Sequence, residues 1–366
     1  MSREPRVTAL IGTFNQGRFL GEAIESVLAQ DFPPSEIEIL VVDDGSTDST
    51  PQVASRYSDR IRYIRKENGG QGSVFNVGFA EARGEIIALL DGDDVWLTGK
   101  IRSMIQALDQ HPAAGLAYHP YQIWYPEKNI CFNTEFHPVS GYVPDRLTDL
   151  LTYGDFGTCG MALRKEVLQK ILPVPEKLVV YADLYIVCLM IFVAPVVAHA
   201  EHLTRYRQHA GNLTSFAAGD QARHERRCRC YEEGLAAVRG WLADNGFDLR
   251  RPDLAAFLEH QELGGTEMRF AFSAPGRAEY FRFLRDHARV HGPLWTPGYR
   301  AFQWVTSLTA LMMGYRRYEA LRARYRRSIL LREVRAAWIP DERPEVAAIP
   351  AHSPQQASGA AGGARG

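Results

Sequence analysis

Three carboxylates fall within four residues at Asp91-Gly92-Asp93-Asp94, closing the apolar run Ile86-Ile87-Ala88-Leu89-Leu90. Carboxylate oxygens are hard donors, and grouped this closely they suit a Mg²⁺ or Mn²⁺ ion shared with a substrate phosphate. Taken alone, an Asp-x-Asp is more simply a solvated acidic turn. Three other polar clusters change that balance: Thr13 with Asn15, Asp43 with Asp44, and the stretch Asn68-Gly69-Gly70-Gln71-Gly72-Ser73. Each lies at or just after an apolar run. The first two offer the fixed donors and acceptors that a base or ribose needs, and the glycines permit close approach of a ligand to the backbone. Four such clusters together point to a nucleotide–metal site.

The runs that deliver these clusters are Val7-Thr8-Ala9-Leu10-Ile11, Glu38-Ile39-Leu40-Val41-Val42, Ile61-Arg62-Tyr63-Ile64 and Ile86 to Leu90. Short apolar runs bounded by turn residues are the pattern of buried strands. Between them, Phe19, Leu20, Ile24, Val27 and Leu28 recur at helical spacing over 18–30 and stop before Pro33-Pro34. A second helix is expected from near Ser49, and a third over 74–82, ended by Gly84. This β-α-β-α order with short loops predicts an α/β fold with a mostly parallel, helix-covered sheet. Ligands of such sheets bind outside the carboxyl ends of the strands, where all four clusters fall. Further along, a helix is expected over 99–109, strands near 115–119 and 159–163, and an apolar helix over 183–193. Residues 195–198 and 203–206 read as the last strands.

The chain has 366 residues, 46% apolar and 23% charged, ordinary values for a globular protein with a real core. A net charge of −1 says nothing about partners. Five cysteines without framework spacing suggest reduced thiols, and Cys228-Arg229-Cys230 lacks the second pair that a zinc site needs. The first residues run directly into a strand, leaving no room for a signal peptide. The longest apolar stretch, Leu184 to Ala198, is broken by Pro195 and falls short of the ~20 residues that span a bilayer. A cytoplasmic protein is expected.

Thr8 to Asp94 resembles the nucleotide-binding half of the family 2 glycosyltransferases, inverting enzymes of the GT-A fold. The segments that carry the likeness are Ile11-Gly12-Thr13-Phe14-Asn15, Val41-Val42-Asp43-Asp44-Gly45-Ser46-Thr47-Asp48, Glu67-Asn68-Gly69-Gly70-Gln71-Gly72, Asn76-Val77-Gly78 and Leu89-Leu90-Asp91-Gly92-Asp93-Asp94. It weakens but continues to about residue 215. The resemblance implies a nucleotide-diphosphate sugar donor, an acceptor hydroxyl, and Mn²⁺ or Mg²⁺. Thr13, Asn15 and Asp44 would hold the nucleoside, Asp91 would face the ribose or sugar, and Asp93 would ligate the metal. Asp43, Asn68, Gly70, Gln71 and Asn76 join the expected donor site. Many relatives carry Arg where Phe75 stands, so the likeness does not extend to an arginine on the diphosphate. On this reading residues 1–98 form the nucleotide-sugar half and 99–215 the acceptor half of the catalytic domain. A helical Arg-rich region over 216–340 and a disordered tail over 341–366 follow.

Inverting transfer needs a base set apart from the metal carboxylates. Asp183, in Val180-Tyr181-Ala182-Asp183-Leu184-Tyr185, occupies the place where relatives carry a Glu-Asp pair, with Ala182 replacing the Glu. The simpler reading of Asp183 is a helix N-cap. Asp155 is the fallback. In Leu203-Thr204-Arg205-Tyr206-Arg207-Gln208-His209, a segment similar to one recurring in the family, His209 is a second candidate metal ligand or diphosphate contact. Arg207 there would add positive charge. Trp96 reads as loop packing rather than a sugar platform. Asn212-Leu213-Thr214 matches a glycosylation sequon without meaning in the cytoplasm.

Residues 300–339 hold nine arginines against Glu319 and Glu333, next to the apolar stripe Trp304, Val305, Leu308, Leu311, Met312 and Tyr315. The simpler expectation is a stripe packed on the catalytic domain. The alternative is a basic amphipathic helix lying on an anionic membrane, which would suit a lipid-linked sugar acceptor. No base-reading motif supports nucleic-acid binding. The Gln-x-x-Arg-Trp segment of processive synthases is also absent, which favours transfer of a single sugar. Two rivals remain. A nucleotidyltransferase making the sugar nucleotide would open on a glycine-rich, Arg-containing loop, which Gly12-Thr13-Phe14-Asn15 is not. A non-catalytic glycan-binding relative would have no use for the acidic cluster.

Overall fold

The apolar runs pair at the centre of a seven-stranded sheet. A computed structural model describes residues 4–134, 136, 138–145, 147, 157–212, 221–270, 273–294, 297–318 and 321. Strand β1 (Val7–Thr13) lies parallel between β2 (Ile37–Asp43) and β4 (Ile86–Asp91), and β3 (Arg62–Arg65) adds parallel to β2. Beyond β4 come β9 (Met161–Arg164), β6 (Leu116–Tyr118) and β10 (Val196–Ala198), giving the order β10-β6-β9-β4-β1-β2-β3. β9 runs antiparallel to both neighbours, so the sheet is mostly but not wholly parallel.

Alternate residues of the strands feed two cores, as the pleat requires. Leu10, Leu40, Val42 and Leu89 pack under α3 (Gly70–Glu81) and α6 (Ala182–Val193). Ile11, Val41 and Leu90 pack on the other face with Leu20, Ile24 and Val27 of α1 (Leu20–Leu28) and Ile101, Met104 and Leu108 of α4 (Lys100–Gln110). Short helices α2 (Thr50–Ser55) and α5 (Lys165–Leu168) complete this part.

The structure corrects four sequence expectations. The strand near 203–206, β11 (Thr204–Arg207), leaves the main sheet. It joins β5 (Val95–Trp96), β7 (Gln122–Tyr125) and β8 (Ile130–Asn133) in a second sheet of order β5-β11-β7-β8. The third helix starts at Gly70 rather than 74, because the Asp44 carboxylate accepts the Gly69 and Gly70 N–H groups at 2.9 and 2.7 Å. A cap supplied from another strand end leaves no local signal. Asp183 is not an N-cap: that position is Tyr181, in the left-handed region at φ 62°, and Gln71 Oε1 accepts the Ala182 N–H at 2.9 Å. The fourth correction concerns the C-terminal stripe.

That region is helical as expected: α7 (Gln221–Asp244), α8 (Pro252–Phe270), α9 (Arg277–His291) and α10 (Pro297–Met313). Val238, Leu242, Leu254, Phe257, Leu258 and Val290 extend the core beneath α6. α10 instead packs Ala310, with Leu311 and Tyr315 nearby, on a small cluster around Phe270 and Tyr280. Trp304, Val305, Leu308 and Met312 stay exposed rather than packing on the sheet domain. The arginines at 322, 324, 326, 327, 332 and 335 and the tail over 341–366 lie outside the described residues.

Candidate active site

All four strand-end clusters meet on one edge of the main sheet. Gly92 donates its N–H to the Gly12 carbonyl at 2.9 Å, which brings the acidic turn against the end of β1. A Cβ on Gly92 would stand 2.8 Å from Thr13 Oγ1 and 2.6 Å from Gln16 Oε1, so the turn has room for glycine alone. Thr13 and Gln16 are themselves 3.0 Å apart. Asn15 takes the left-handed conformation at φ 53° and accepts the Thr47 N–H at 2.8 Å, tying the ends of β1 and β2 together.

The two aspartates after β2 divide their work. Asp43 is fully buried and accepts from Ser46 N at 2.8 Å and from the Tyr63 hydroxyl, which commits it to shaping the turn. Burial and that hydrogen bond push the Tyr63 hydroxyl up in pKa. Asp44 receives Lys66 Nζ at 2.7 Å, Asn68 Nδ2 at 3.0 Å, and the Gly69 and Gly70 N–H groups. It is the anchor of the glycine loop. Asn76 bonds Val174 with both ends of its amide at 2.8 Å, so it holds the 174 segment rather than facing the crevice. Phe75 is buried against Phe79, so no side chain reaches a diphosphate from that position.

Gly70 is the tight point of this loop. Its φ of +80° disfavours any side chain, and a Cβ would come within 2.4 Å of the Val179 Cα. Gly70→Ala is expected to destabilise the protein by more than ~1 kcal/mol, seen as a Tm several degrees lower, and to weaken nucleotide binding. An unchanged Tm would show that the loop tolerates the clash by moving.

The acidic turn sorts into three roles. Asp91 ends β4, partly exposed. Burial first, then the carboxylates of Asp93 and Asp183, push its carboxyl well above the ordinary aspartate range. Asp94 is fully buried and accepts the Arg207 N–H at 2.9 Å, fastening the turn to β11. Asp93 meets His209: Nε2 stands 2.9 Å from Oδ2, across 116 positions of sequence. Asn212, which sequence offered only as a sequon, holds the His209 N–H at 2.6 Å and the Arg207 carbonyl at 2.9 Å, and its Nδ2 lies 3.5 Å from Asp93 Oδ2.

Arg207 is not free charge for a substrate. Its guanidinium is buried between Phe19 and Trp124, at 4.8 and 4.3 Å from the ring centroids, and bonds the Asp93 carbonyl and Glu22. Trp96 is buried under Lys100, whose Nζ lies 4.5 Å from its ring, and therefore packs. Burial draws the Lys100 ammonium down to about 7.

Asp93 and His209 fit a small divalent cation. Among the described residues no group of three or more His, Cys, Asp and Glu is disposed to hold a metal unaided. His209 Nδ1 accepts the Gly211 N–H at 3.1 Å, so the ring proton sits on Nε2. As a ligand through Nε2, His209 would carry its proton on Nδ1 and would give up the Gly211 N–H bond.

Asp183 comes from the first turn of α6. Thr158 Oγ1 donates to its Oδ2 and the Leu184 N–H to its Oδ1 at 3.0 Å. Burial raises its pKa above the ordinary aspartate value, while these two hydrogen bonds oppose the rise. Gln71 caps the same helix end, so the glycine loop sets the height of Asp183. Two residues before Asp183, Arg227 of α7 donates to the Tyr181 hydroxyl at 3.1 and 2.6 Å, and Tyr231 packs edge-on to the ring. Sequence reading missed Thr158, Tyr181 and Arg227, whose roles have no local signature. Asp155, the fallback base, lies outside the described residues.

A mostly parallel, helix-flanked sheet with its polar strand ends gathered around an Asp-x-Asp turn is a GT-A-like α/β fold. The model of the family described as "Glycosyl transferase family 2" matches residues 8–172. An uncharacterized glycosyltransferase of Nostoc sp. is 34% identical over 229 residues, spanning 60% of this chain and 70% of that protein. Among solved structures, S. aureus TarS 1–349 in complex with UDP superposes with a TM-score of 0.56 at 17% identity, covering 87% of this chain and 91% of that one. A mannosyltransferase from Pyrobaculum calidifontis in complex with GDP-Man and Mn²⁺ gives 0.50 at 18% identity, covering 85% and 87%. The chain belongs to glycosyl transferase family 2 and is a glycosyltransferase.

Proposed function

We propose that this enzyme transfers a single sugar from a nucleotide-diphosphate donor to an acceptor hydroxyl, with inversion and with a divalent cation. The observation that carries the reading is the disposition of carboxylates around Asp91. Asp93 lies 2.9 Å from His209 Nε2 on the turn after β4, and Asp183 rises from the first turn of a separate helix. The Asp93–His209 pair could hold a cation, and Asp183, on its own element, could serve apart from it as the base.

The residues divide the reaction between them. Thr13, Asn15 and the loop anchored by Asp44 and Asn68 shape the nucleoside end of the crevice. Asp93 and His209 would hold Mn²⁺ or Mg²⁺, which when bound neutralises charge on the departing diphosphate. Asp183 takes the proton of the acceptor hydroxyl as its oxygen bonds to the anomeric carbon, and the bond from that carbon to the diphosphate oxygen breaks. Attack opposite the leaving group inverts the centre. Structural neighbours bound to UDP and to GDP-Man with Mn²⁺ support this donor class and a metal. The intact Asp-x-Asp, with its imidazole neighbour, favours a catalyst over a binding-only relative. A role in polysaccharide or glycoconjugate synthesis fits these parts.

The test is a panel of nucleotide sugars followed by donor turnover with and without Mn²⁺. We expect one donor to raise Tm in Mn²⁺ and to be hydrolysed or transferred only with the metal. Equal turnover in a chelator would overturn the metal's part in this reading.

A further inference from the structure

Among the described residues, α10 keeps an apolar arc exposed, and its chemistry selects a partner. Trp304, Val305, Leu308 and Met312 are 66%, 65%, 60% and 71% exposed. Their spacing puts them on one arc of the helix, while Ala310 on the opposite side is fully buried against the cluster of Phe270 and Tyr280. The helix is therefore fixed by one side and bare on the other. Residues 297–318 contain no Asp or Glu, and exposed Arg316 and Arg317 stand just past the helix end. Six more arginines follow by residue 335, against two glutamates.

We propose that α10 docks this enzyme onto an anionic lipid bilayer, apolar arc down and arginines on the headgroups. Large side chains with a tryptophan on one face, flanked by an excess of Arg, fit the boundary between headgroups and acyl chains. Arginine stems also reach along apolar surface while the heads stay with phosphate. A second copy of the chain fits less well, because residues 297–318 hold no Asp or Glu that could pair with a mate's Arg316 and Arg317, whereas anionic headgroups can. The contact lies on the surface and does not cross it: no described helix is long and apolar enough to span a membrane. The inference stands independently of the sugar chemistry proposed above.

The experiment is sedimentation of the full chain with extruded vesicles, either phosphatidylcholine alone or phosphatidylcholine with about one third phosphatidylglycerol. The wild type is expected to partition at least about tenfold more strongly to the anionic vesicles, less so as salt is raised. Leu308→Asp combined with Met312→Asp is expected to remove that partition while Tm and affinity for a nucleoside diphosphate stay at wild-type values. Three results would overturn the proposal. One is absence of wild-type binding to anionic vesicles. Another is binding that the double variant leaves intact. The third is a wild-type dimer in light scattering that the same substitutions dissolve. None of these touches the glycosyltransferase reading, which fails only if donor turnover fails.

Discussion

Asp183→Asn is expected to lower kcat by about 10²–10⁴-fold while leaving donor affinity near that of the wild type. The amide keeps the size of the carboxylate and one accepting oxygen, so the Leu184 N–H bond can persist while the Thr158 hydroxyl turns to accept from the new NH2 group. What it loses is the ability to take a proton. The pH profile carries a second signature. Asp183 must be ionised to act, so kcat falls as pH drops through its pKa. Because burial raises that pKa, the acid limb lies above the range of an ordinary aspartate. In the variant this limb disappears with the rate. Wild-type turnover in Asp183→Asn would place the base elsewhere, and Asp155 would then be the next residue to replace.

The sequence was most legible where a strand is buried between two cores, one on each of its faces. Val7–Thr13, Ile37–Asp43 and Ile86–Asp91 are apolar on both faces, so their runs announce them and their ends announce the crevice. It was least legible where long-range contacts set local form. Gly70 begins a helix because Asp44 caps it, and Ala182 is capped by Gln71 from across the crevice. Ile130–Asn133 is exposed along its whole length, so no alternation marks it as a strand. The pairing of Asp93 with His209 depends on β11 lying against β5 in the smaller sheet, a choice that apolar pattern does not encode. Residue types thus disclosed the chemistry, while the supports of each site residue emerged only from tertiary contacts. Asp43 and Asn76 illustrate the difference: polar residues in family segments whose hydrogen bonds are spent on the fold itself.

Asp93→Ala carries the other large expected effect. It removes the carboxylate from the Asp93–His209 pair and leaves no second acidic group in contact with the imidazole among the described residues. The Arg207 bond to the Asp93 carbonyl, and Asp94 beneath, are untouched by the substitution, so the turn keeps its attachment to β11. Loss of binding in this variant would therefore report on the cation. Turnover is expected to fall to background, with the thermal transition shifted little.

The central claim is that Asp93, with His209, holds a divalent cation shared with the donor's diphosphate. Calorimetric titration of a nucleoside diphosphate into wild type and Asp93→Ala, each with Mn²⁺ and with chelator, tests it most directly. The account predicts a wild-type affinity that Mn²⁺ strengthens by at least about tenfold, and an Asp93→Ala affinity that Mn²⁺ leaves unchanged. An equal gain from Mn²⁺ in both proteins would contradict it.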